Sequence, residues 1–263
     1  MASARGYPLD YRASDYAYIE RPNAVLLALF ARHVAARSAA PRVLDVGAGA
    51  GANARAVRAL APRAHLTAIE PNPQAAAQLR AACDVVHQSE LSSWLAEPAQ
   101  GGEFDAVLLS DVIEHVVNPV QFLSDLVRFP GLRNALFLVS VPNYAVWYNR
   151  LLTLAGRFEY AESGLYDRTH LRFFTRASVG RLLAYSGLSV IEQRVTPSLA
   201  QSLAPWLRAR FQAAVNSGDH LALEGSRLYR GYARFVEPLE TSVCQLWPEL
   251  LGFQIVSVAR LSE

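Results

Sequence analysis

The chain contains no lysine, because all 25 of its basic residues are arginine. This absence excludes chemistry that depends on a lysine amine, such as that of a P-loop lysine, a Schiff-base lysine or the lysine of Tyr-x-x-x-Lys reductases. Cysteine is scarce as well. Cys83 and Cys244 lie far apart and do not have the spacing of a metal site. Two distant thiols are typical of a reducing compartment, so we expect a cytoplasmic protein without a bound metal ion.

Long hydrophobic runs are also missing. No apolar stretch reaches the roughly 18 residues that a membrane span needs, and the N-terminal segment contains no apolar signal-peptide core. The net charge of +2 is too small to indicate nucleic-acid binding by itself. Apolar residues still make up 52% of the 263 residues, which is enough for the core of one α/β domain with additions. We therefore expect no membrane span, and the charge gives no indication of a nucleic-acid partner.

Glycine is concentrated in one turn. A predicted strand, Val43–Val46, runs into the segment Gly47-Ala48-Gly49-Ala50-Gly51, and a helix is expected from Ala52. Glycines let the backbone approach a ligand closely, and the N-terminus of a helix presents free N–H groups to it. A second predicted strand, Leu66–Glu70, ends in a carboxylate that suits the two hydroxyls of a ribose. Together these features predict a cofactor that contains a nucleoside.

Two cofactors fit this turn. As G-x-G-x-x-G/A, the segment matches a dinucleotide-binding fingerprint. As D-x-G-x-G-x-G, with Asp45 in front, it resembles motif I of the class I S-adenosylmethionine methyltransferases. An anionic pyrophosphate would be repelled by Asp45, whereas the cationic amine and sulfonium of S-adenosylmethionine would be attracted. Asp45 therefore favours S-adenosylmethionine, and a tight strand–helix turn without a ligand is the structural alternative.

Predicted strands and helices alternate along most of the chain, which indicates a parallel, doubly wound sheet. The predicted strands are Val43–Val46, Leu66–Glu70, Asp84–His87, Phe104–Ser110, Ala135–Val141, Leu188–Val195 and Phe253–Leu261. The predicted helices are Asn23–Arg37, Gln74–Ala82, Val120–Phe129 and Ala177–Ser186. Ligands of such sheets bind at the carboxyl ends of the strands. We expect the glycine turn, Glu70, Ser89 and Ser110–Asp111 to meet in one crevice there.

This pattern predicts a division of the chain into four segments. Residues 1–40 form an N-terminal cap with a helix, 41–196 the core, 197–249 an insertion, and 250–263 the last core strand. The insertion is rich in arginine and aromatic residues and is expected to be mostly helical. It would serve as a lid, a packing layer or a homodimer surface, while arginine with aromatic residues also suits a polyanion. The apolar stretch 145–154 is expected to form a lid helix, with membrane contact as the alternative.

A second motif, Phe104–Pro119, reads F-D-A-V-L-L-S-D-V-I-E-H-V-V-N-P. With motif I and Glu70, it resembles the class I methyltransferases of small molecules, in which F-D-x-V…E-H…P follows the glycine turn at similar spacing. Residues 166–175 resemble the H-x-R-x-F-T segment of a subset of these enzymes. The resemblance covers roughly residues 40–195 and the final strand. It implies a seven-stranded, Rossmann-like sheet whose last strand is antiparallel.

The resemblance also implies a set of contacts with S-adenosylmethionine and with its product, S-adenosylhomocysteine. The implied cofactor contacts are Asp45, Gly47, Ala48, Gly49 and Gly51 for the methionine end, Glu70 for the ribose, Pro71 beside the adenine, and Ser110 and Asp111 near the amine and the methyl group. The family usually carries an aspartate for the adenine amine after the third strand. Ser89 stands at that position and is followed by Glu90, so either residue would contact the adenine.

Methyl transfer needs an aligned nucleophile and, for a hydroxyl acceptor, a base. His115 and His170 are the candidate bases, with Asp111 beside them, and each histidine also has a purely structural alternative. The candidate acceptor contacts are Trp147, Tyr148, His170, Arg172 and Phe173.

We expect O-methylation, because the chain lacks the Asn/Asp-Pro-Pro-Tyr motif of many amine methylases. The alternatives are an N-methyltransferase, a non-catalytic partner subunit of the same fold, a nicotinamide or flavin oxidoreductase, and a nucleic-acid methylase.

Overall fold

The computed structural model describes residues 22–97, 102–161, 164–197, 234 and 236–262. The strands are β1 (Arg42–Val46), β2 (His65–Ile69), β3 (Val85–His87), β4 (Ala106–Ser110), β5 (Leu136–Pro142), β6 (Leu188–Pro197) and β7 (Gly252–Leu261). The α-helices are α1 (Ala24–Phe30), α2 (Ala52–Leu60), α3 (Pro73–Leu79), α4 (Leu91–Ala96), α5 (Pro119–Arg128), α6 (Trp147–Leu154), α7 (Arg176–Tyr185), α8 (Glu237–Leu246) and α9 (Pro248–Leu251). A π-helical turn, Ala31–Ala35, extends α1, and short 3-10 turns span Ile113–His115 and Pro130–Leu132.

The seven strands form one mixed sheet in the order β3-β2-β1-β4-β5-β7-β6. β1 to β5 pair in parallel, and β7 lies antiparallel between β5 and β6. This arrangement confirms the predicted α/β fold with an antiparallel last strand. Chain order reverses at β1, from which β2 and β4 lie on opposite sides, and ligands of doubly wound sheets bind at such a switch point.

The sheet separates two hydrophobic layers. One layer buries α1, α2 and α3 against the sheet, and the other buries α4, α5 and α7. β4 and β5 read as continuous apolar runs because both of their faces are covered, as central parallel strands require. Two rigid layers of this kind hold the carboxyl ends of β1 to β4 side by side.

Polar caps fix where the helices begin. Asn23, Asn72 and Asn118 accept hydrogen bonds from backbone N–H groups in the first turns of α1, α3 and α5. Proline follows Asn72 and Asn118 at the first helical position, where its missing N–H costs nothing. Thr175 and Ser178 form a reciprocal capping box at α7. These caps set where each connection leaves the sheet.

The predicted and observed boundaries mostly differ by only a few residues. The helix predicted for Asn23–Arg37 is α1 with its π-helical extension, and the apolar stretch 145–154 contains α6. Most of the insertion, 198–233, lies outside the described residues, as does the N-terminal segment 1–21. Among the described residues, no helix is long and apolar enough to cross a membrane.

Candidate active site

The glycine turn after β1 is held in a left-handed backbone conformation. Gly47 has φ +67°, and a Cβ atom there would lie 2.9 Å from Cγ2 of Val112. Its N–H donates to the carbonyl of Ile69 at 2.8 Å, so the turn is joined to the end of β2. Gly51, with φ +87°, then precedes α2 as its N-cap. Larger residues would block this close approach of the turn to β2 and to the loop after β4.

Glu70 fastens the same turn from the other side. Its side chain is buried at 2% exposure. Oε2 accepts from the N–H of Gly49 at 2.8 Å, and Oε1 accepts from the N–H of Asn72 at 2.9 Å. A carboxylate oxygen can accept more than one hydrogen bond, so both oxygens keep capacity for hydroxyl donors. The position expected to bind a ribose is therefore occupied by a carboxylate that the backbone holds in place.

Asp45 lies inside β1 with a buried carboxyl group. Within the described part of the chain, its Oδ2 has no hydrogen-bond partner. Burial, together with the smaller effect of the nearby charge of Glu70, raises its pKa to about 7. A cationic group beside Asp45 would relieve this cost. The buried Oγ of Ser89 likewise lacks a partner among the described residues, so both sites fit the amine and the adenine of S-adenosylmethionine.

Asp111 follows β4 and has an unusual backbone. Its φ of +55° is the one positive value among the described residues other than glycine. Nε2 of Gln254 donates to both carboxylate oxygens at 2.8 Å. Burial raises the pKa of Asp111 to about 6, and hydrogen bonds from Gln254, Ser110 and Ser140 oppose the rise. A non-glycine residue in this region stores about 1 kcal/mol of strain or more, and such strain is common at functional sites.

A series of hydrogen bonds connects Asp111 to Asn23, the N-cap of α1. Oε1 of Gln254 accepts from Nδ2 of Asn23 at 3.2 Å, and the N–H of Asn23 donates to Oδ1 of Asn53 at 2.9 Å. Sequence patterns did not single out Asn23 or Gln254 for the site, because no local motif surrounds either of them. The hydrogen bond between their side chains joins residues that lie 231 positions apart in the sequence.

The E-H motif forms a second polar cluster. Glu114 is fully buried, and neither carboxylate oxygen has a hydrogen-bond partner among the described residues. Burial raises the pKa of Glu114 well above its usual value, and the charge of Asp111 adds to the rise. The rings of His115 and His170 meet edge to face, with centroids 4.9 Å apart. Sequence analysis expected both histidines near the cleft but did not give Glu114 a role.

The two histidines are oriented by backbone carbonyls. Nδ1 of His115 lies 3.2 Å from the carbonyl of Thr169, and Nδ1 of His170 lies 3.1 Å from that of Leu165. Burial lowers the pKa of His115 to about 4, with His170 adding to the effect, and burial also lowers the pKa of His170. Both rings are therefore neutral at neutral pH.

The loop that carries His170 is tied to the E-H motif through the backbone. The N–H groups of Leu171 and Arg172 donate to the carbonyl of Glu114 at 2.8 and 3.0 Å. The guanidinium of Arg172 donates to the carbonyl of Val117. Arg172 thus holds the loop after the E-H motif, in addition to its predicted role as an acceptor contact.

Aromatic side chains surround this loop. Phe173 lies 5.1 Å from Tyr144 and 5.9 Å from Phe158, measured between ring centroids. Trp147 and Tyr148, at the start of α6, form an edge-to-face pair of their own at 5.9 Å. Phe158 is 44% exposed. Phe173 therefore belongs to an aromatic cluster that is partly open to solvent at Phe158, and Trp147 and Tyr148 form a separate aromatic pair on α6.

The structure brings the predicted cofactor residues to the ends of four neighbouring strands. Asp45 and the glycine turn lie at β1, Glu70 and Pro71 at β2, Ser89 and Glu90 at β3, and Ser110 and Asp111 at β4. His115 and His170, which are distant in sequence, are in contact. The one signal in the sequence that could have identified Glu114 was the position of an acidic residue within a mostly apolar stretch.

A family model described as "Methyltransferase domain" matches residues 16–193. No curated protein matches the chain in sequence. Solved structures with the same fold include a SAM-dependent methyltransferase from Archaeoglobus fulgidus, with 14% identity, a TM-score of 0.53, and coverage of 89% of this chain and 92% of that one.

The plantazolicin methyltransferase BpumL, in complex with a monoazolic desmethylPZN analog and SAH, is similar at 13% identity and a TM-score of 0.53, covering 91% of this chain and 83% of that one. A putative methyltransferase bound to the Haloferax volcanii Trm112 activator is similar at 14% identity and a TM-score of 0.51, with coverage of 92% and 95%. At these identities the likeness establishes the fold.

Proposed function

Because the chain belongs to the family of methyltransferase domains, we propose that it transfers the methyl group of S-adenosylmethionine to an oxygen atom of a small molecule. The observation that carries this proposal is the pair of buried carboxylates at the glycine turn. Glu70 is held by two backbone N–H groups, and Asp45 has an oxygen without a partner in the described chain. An anionic pyrophosphate would meet two negative charges there, whereas a cationic amine and two ribose hydroxyls would be bound.

S-adenosylmethionine supplies an activated methyl group on its sulfonium when bound. Asp45 and the turn Gly47–Gly51 would hold the methionine end, and Glu70 the ribose. Ser89 and Glu90 would lie beside the adenine, and Asp111 would border the amine and the methyl group. The SAH that accompanies BpumL supports this choice of cofactor.

The protein would remove the acceptor's proton and align its oxygen opposite the leaving sulfur, at about 3 Å from the methyl carbon. His115 and His170 are neutral, and each donates its Nδ1 proton to a backbone carbonyl, so Nε2 carries the lone pair. Asp111, with a pKa of about 6, is ionised at neutral pH. We assign assistance in deprotonation to the two histidines, with Asp111 alongside.

The acceptor we propose is a small molecule with an apolar body and a hydroxyl group. Phe173, in the loop that carries His170, and the Trp147–Tyr148 pair, at the start of α6, supply flat apolar surfaces. Aromatic rings bind planar or aliphatic groups with little loss of side-chain entropy, while the polar cluster would receive the hydroxyl.

Calorimetric titration with S-adenosylmethionine and S-adenosylhomocysteine tests the cofactor, with NADH as the control ligand. We expect micromolar binding of the first two and none of NADH. The reverse result would disprove the cofactor assignment.

The reaction is tested with methyl-labelled S-adenosylmethionine and a panel of phenols, alcohols and amines. Label in an ether product would support O-methylation. Label confined to amine products would contradict the proposed acceptor atom.

A further inference from the structure

We propose that Glu114, His115 and His170 form a binding site for one divalent transition-metal ion of the zinc type. Each side chain offers one ligand atom, and these atoms all lie within 4.8 Å of one another. Two imidazoles and one carboxylate form a donor set that suits zinc and its neighbours in the first transition row better than it suits magnesium or calcium. Two distant segments, the turn after β4 and the loop before α7, supply the three side chains.

Glu114 provides an observation that is independent of this clustering. Its side chain is 0% exposed, and in the described chain neither of its oxygens receives a hydrogen bond. Burial of a carboxyl group without any partner is costly, and proteins normally compensate it with a donor or a cation. By contrast, the buried Glu70 receives a backbone N–H at each oxygen. A metal ion bound to Glu114 would supply the missing partner.

The histidines have the orientation that ligation requires. A carbonyl oxygen can only accept a hydrogen bond, so the contacts to Thr169 and Leu165 place a proton on Nδ1 of each ring. Nε2 then carries the lone pair that binds a metal. Histidine ligands commonly donate their second ring N–H to a carbonyl or carboxylate in this way.

The cluster needs only a small contraction to bind an ion. Bonds of about 2.0–2.2 Å in a tetrahedral site place ligand atoms about 3.4 Å apart. The observed limit of 4.8 Å therefore requires the most distant pair to approach by about 1.4 Å, which side-chain rotation can supply. The backbone on both sides is already joined, since two N–H groups of the His170 loop donate to the carbonyl of Glu114.

Three protein ligands leave a coordination position open, as in catalytic metal sites. This part of the inference rests on the proposed function, because the open position would take the acceptor's hydroxyl oxygen. The bound oxygen would lose its proton to solvent and attack the methyl carbon. An O–C bond would then form while the C–S bond breaks, and its electron pair would return to sulfur as the thioether. The histidines would assist deprotonation as ligands rather than as direct bases.

Titration of the chelator-treated full chain with Co²⁺ tests the site, because cobalt replaces zinc and has visible absorption bands. We expect one Co²⁺ per chain with a nitrogen- and oxygen-ligated spectrum. Glu114→Gln and His170→Gln should each weaken binding at least 30-fold. His65→Gln is the matched control, since His65 is a partly exposed histidine at the start of β2, and it should bind Co²⁺ like the parent chain.

Failure of the parent chain to bind Co²⁺ below 100 μM would overturn the proposal, and so would equal binding by His170→Gln. The second variant keeps the test valid if Glu114→Gln does not fold. Titration of S-adenosylmethionine into the metal-free chain separates the two proposals. Cofactor binding without Co²⁺ binding refutes only the metal site, and Co²⁺ binding without cofactor binding refutes only the proposed function.

Discussion

Glu70 and Glu114 are both buried glutamates close to the carboxyl ends of strands, yet their surroundings differ completely. Glu70 receives a backbone N–H at each oxygen, while Glu114 receives no hydrogen bond within the described chain. The cofactor side of the site is thus organised by the backbone before any ligand arrives. The E-H side brings two neutral histidines next to a buried carboxyl group that receives no hydrogen bond within the described chain. The comparison teaches that backbone hydrogen bonds preorganise the half of the site around Glu70. We infer that the half around Glu114 is completed by what binds there.

The largest expected effect follows from removing the preorganised half. Glu70→Ala deletes the acceptor of two backbone N–H groups and, in the proposed site, of the ribose hydroxyls. Since each hydrogen bond to a charged group contributes about 1.5–3 kcal/mol, we expect the affinity for S-adenosylmethionine to fall at least 100-fold. Calorimetric titration measures the loss. Asp125→Ala, which removes a half-exposed carboxylate on α5, is the matched control, and an unchanged affinity in Glu70→Ala would refute the assignment.

Asp45 should make cofactor affinity depend on pH. Burial raises its pKa in the ligand-free protein from the usual 3.8 to about 7, so its contribution to stability is present below pH 4 and is lost as pH rises through 7. A cationic ligand binds the ionised form, so affinity should rise from pH 5.5 to 7.5.

Asp45→Asn should bind S-adenosylmethionine about 10-fold more weakly at pH 7.5, with a shallower pH dependence because only Asp111, with a pKa of about 6, still titrates there, while its ligand-free melting temperature at that pH should increase. Titrations at pH 5.5, 6.5 and 7.5 measure the slope. An Asp45→Asn chain that retains the slope of the parent would show that another group titrates.

The same conservative substitution should have opposite effects on the two glutamates. Glu70→Gln replaces a carboxylate that accepts two N–H groups and should cost about 1–3 kcal/mol of unfolding free energy. Glu114→Gln removes a buried carboxyl group that has no hydrogen-bond partner among the described residues, so at pH 8 in chelator it should be neutral or stabilising. Urea unfolding of both variants gives the comparison directly. Equal destabilisation would mean that the two surroundings are equivalent in solution.

The smallest expected effect concerns Gln254. Gln254→Leu removes the Nε2 group that donates to both oxygens of Asp111 and leaves only the hydrogen bonds of Ser110 and Ser140, which should raise the pKa of Asp111 above about 6 and loosen the turn after β4. We expect a three- to ten-fold loss of cofactor affinity, which corresponds to about 1 kcal/mol. Gln245→Leu is a matched control on α8, where the amide instead contacts the backbone of Val195. A larger effect in the control would contradict this role.

The cofactor half could be predicted from the sequence because each of its parts is local. A strand that ends in Gly47–Gly51, a second strand that ends in Glu70, and caps such as Asn72-Pro73 each carry their signal within a few residues. The alternation of these units also predicted the α/β sheet, and the family resemblance implied its antiparallel last strand, which the structure confirms.

The second half depends on long-range contacts. His115 meets His170 across 55 residues, and Gln254 reaches Asp111 across 143 residues. Hydrophobic periodicity does not reveal such long-range pairs. The surroundings of Glu114 also depend on how the distant 165–172 loop packs against the E-H motif. The assignment of the two histidines to one cluster therefore required the structure.

The placement of β7 has a consequence for synthesis on the ribosome. β7 is translated after the other strands and then enters the sheet between β5 and β6, where it also delivers Gln254 to Asp111. Until it emerges, the edges of β5 and β6 that pair with β7 are unpaired, and the Gln254 amide that donates to Asp111 is missing. Cofactor binding at full affinity would therefore indicate that β7 has completed its insertion. An increase in melting temperature on addition of the cofactor would then distinguish fully folded new chains from incompletely folded ones.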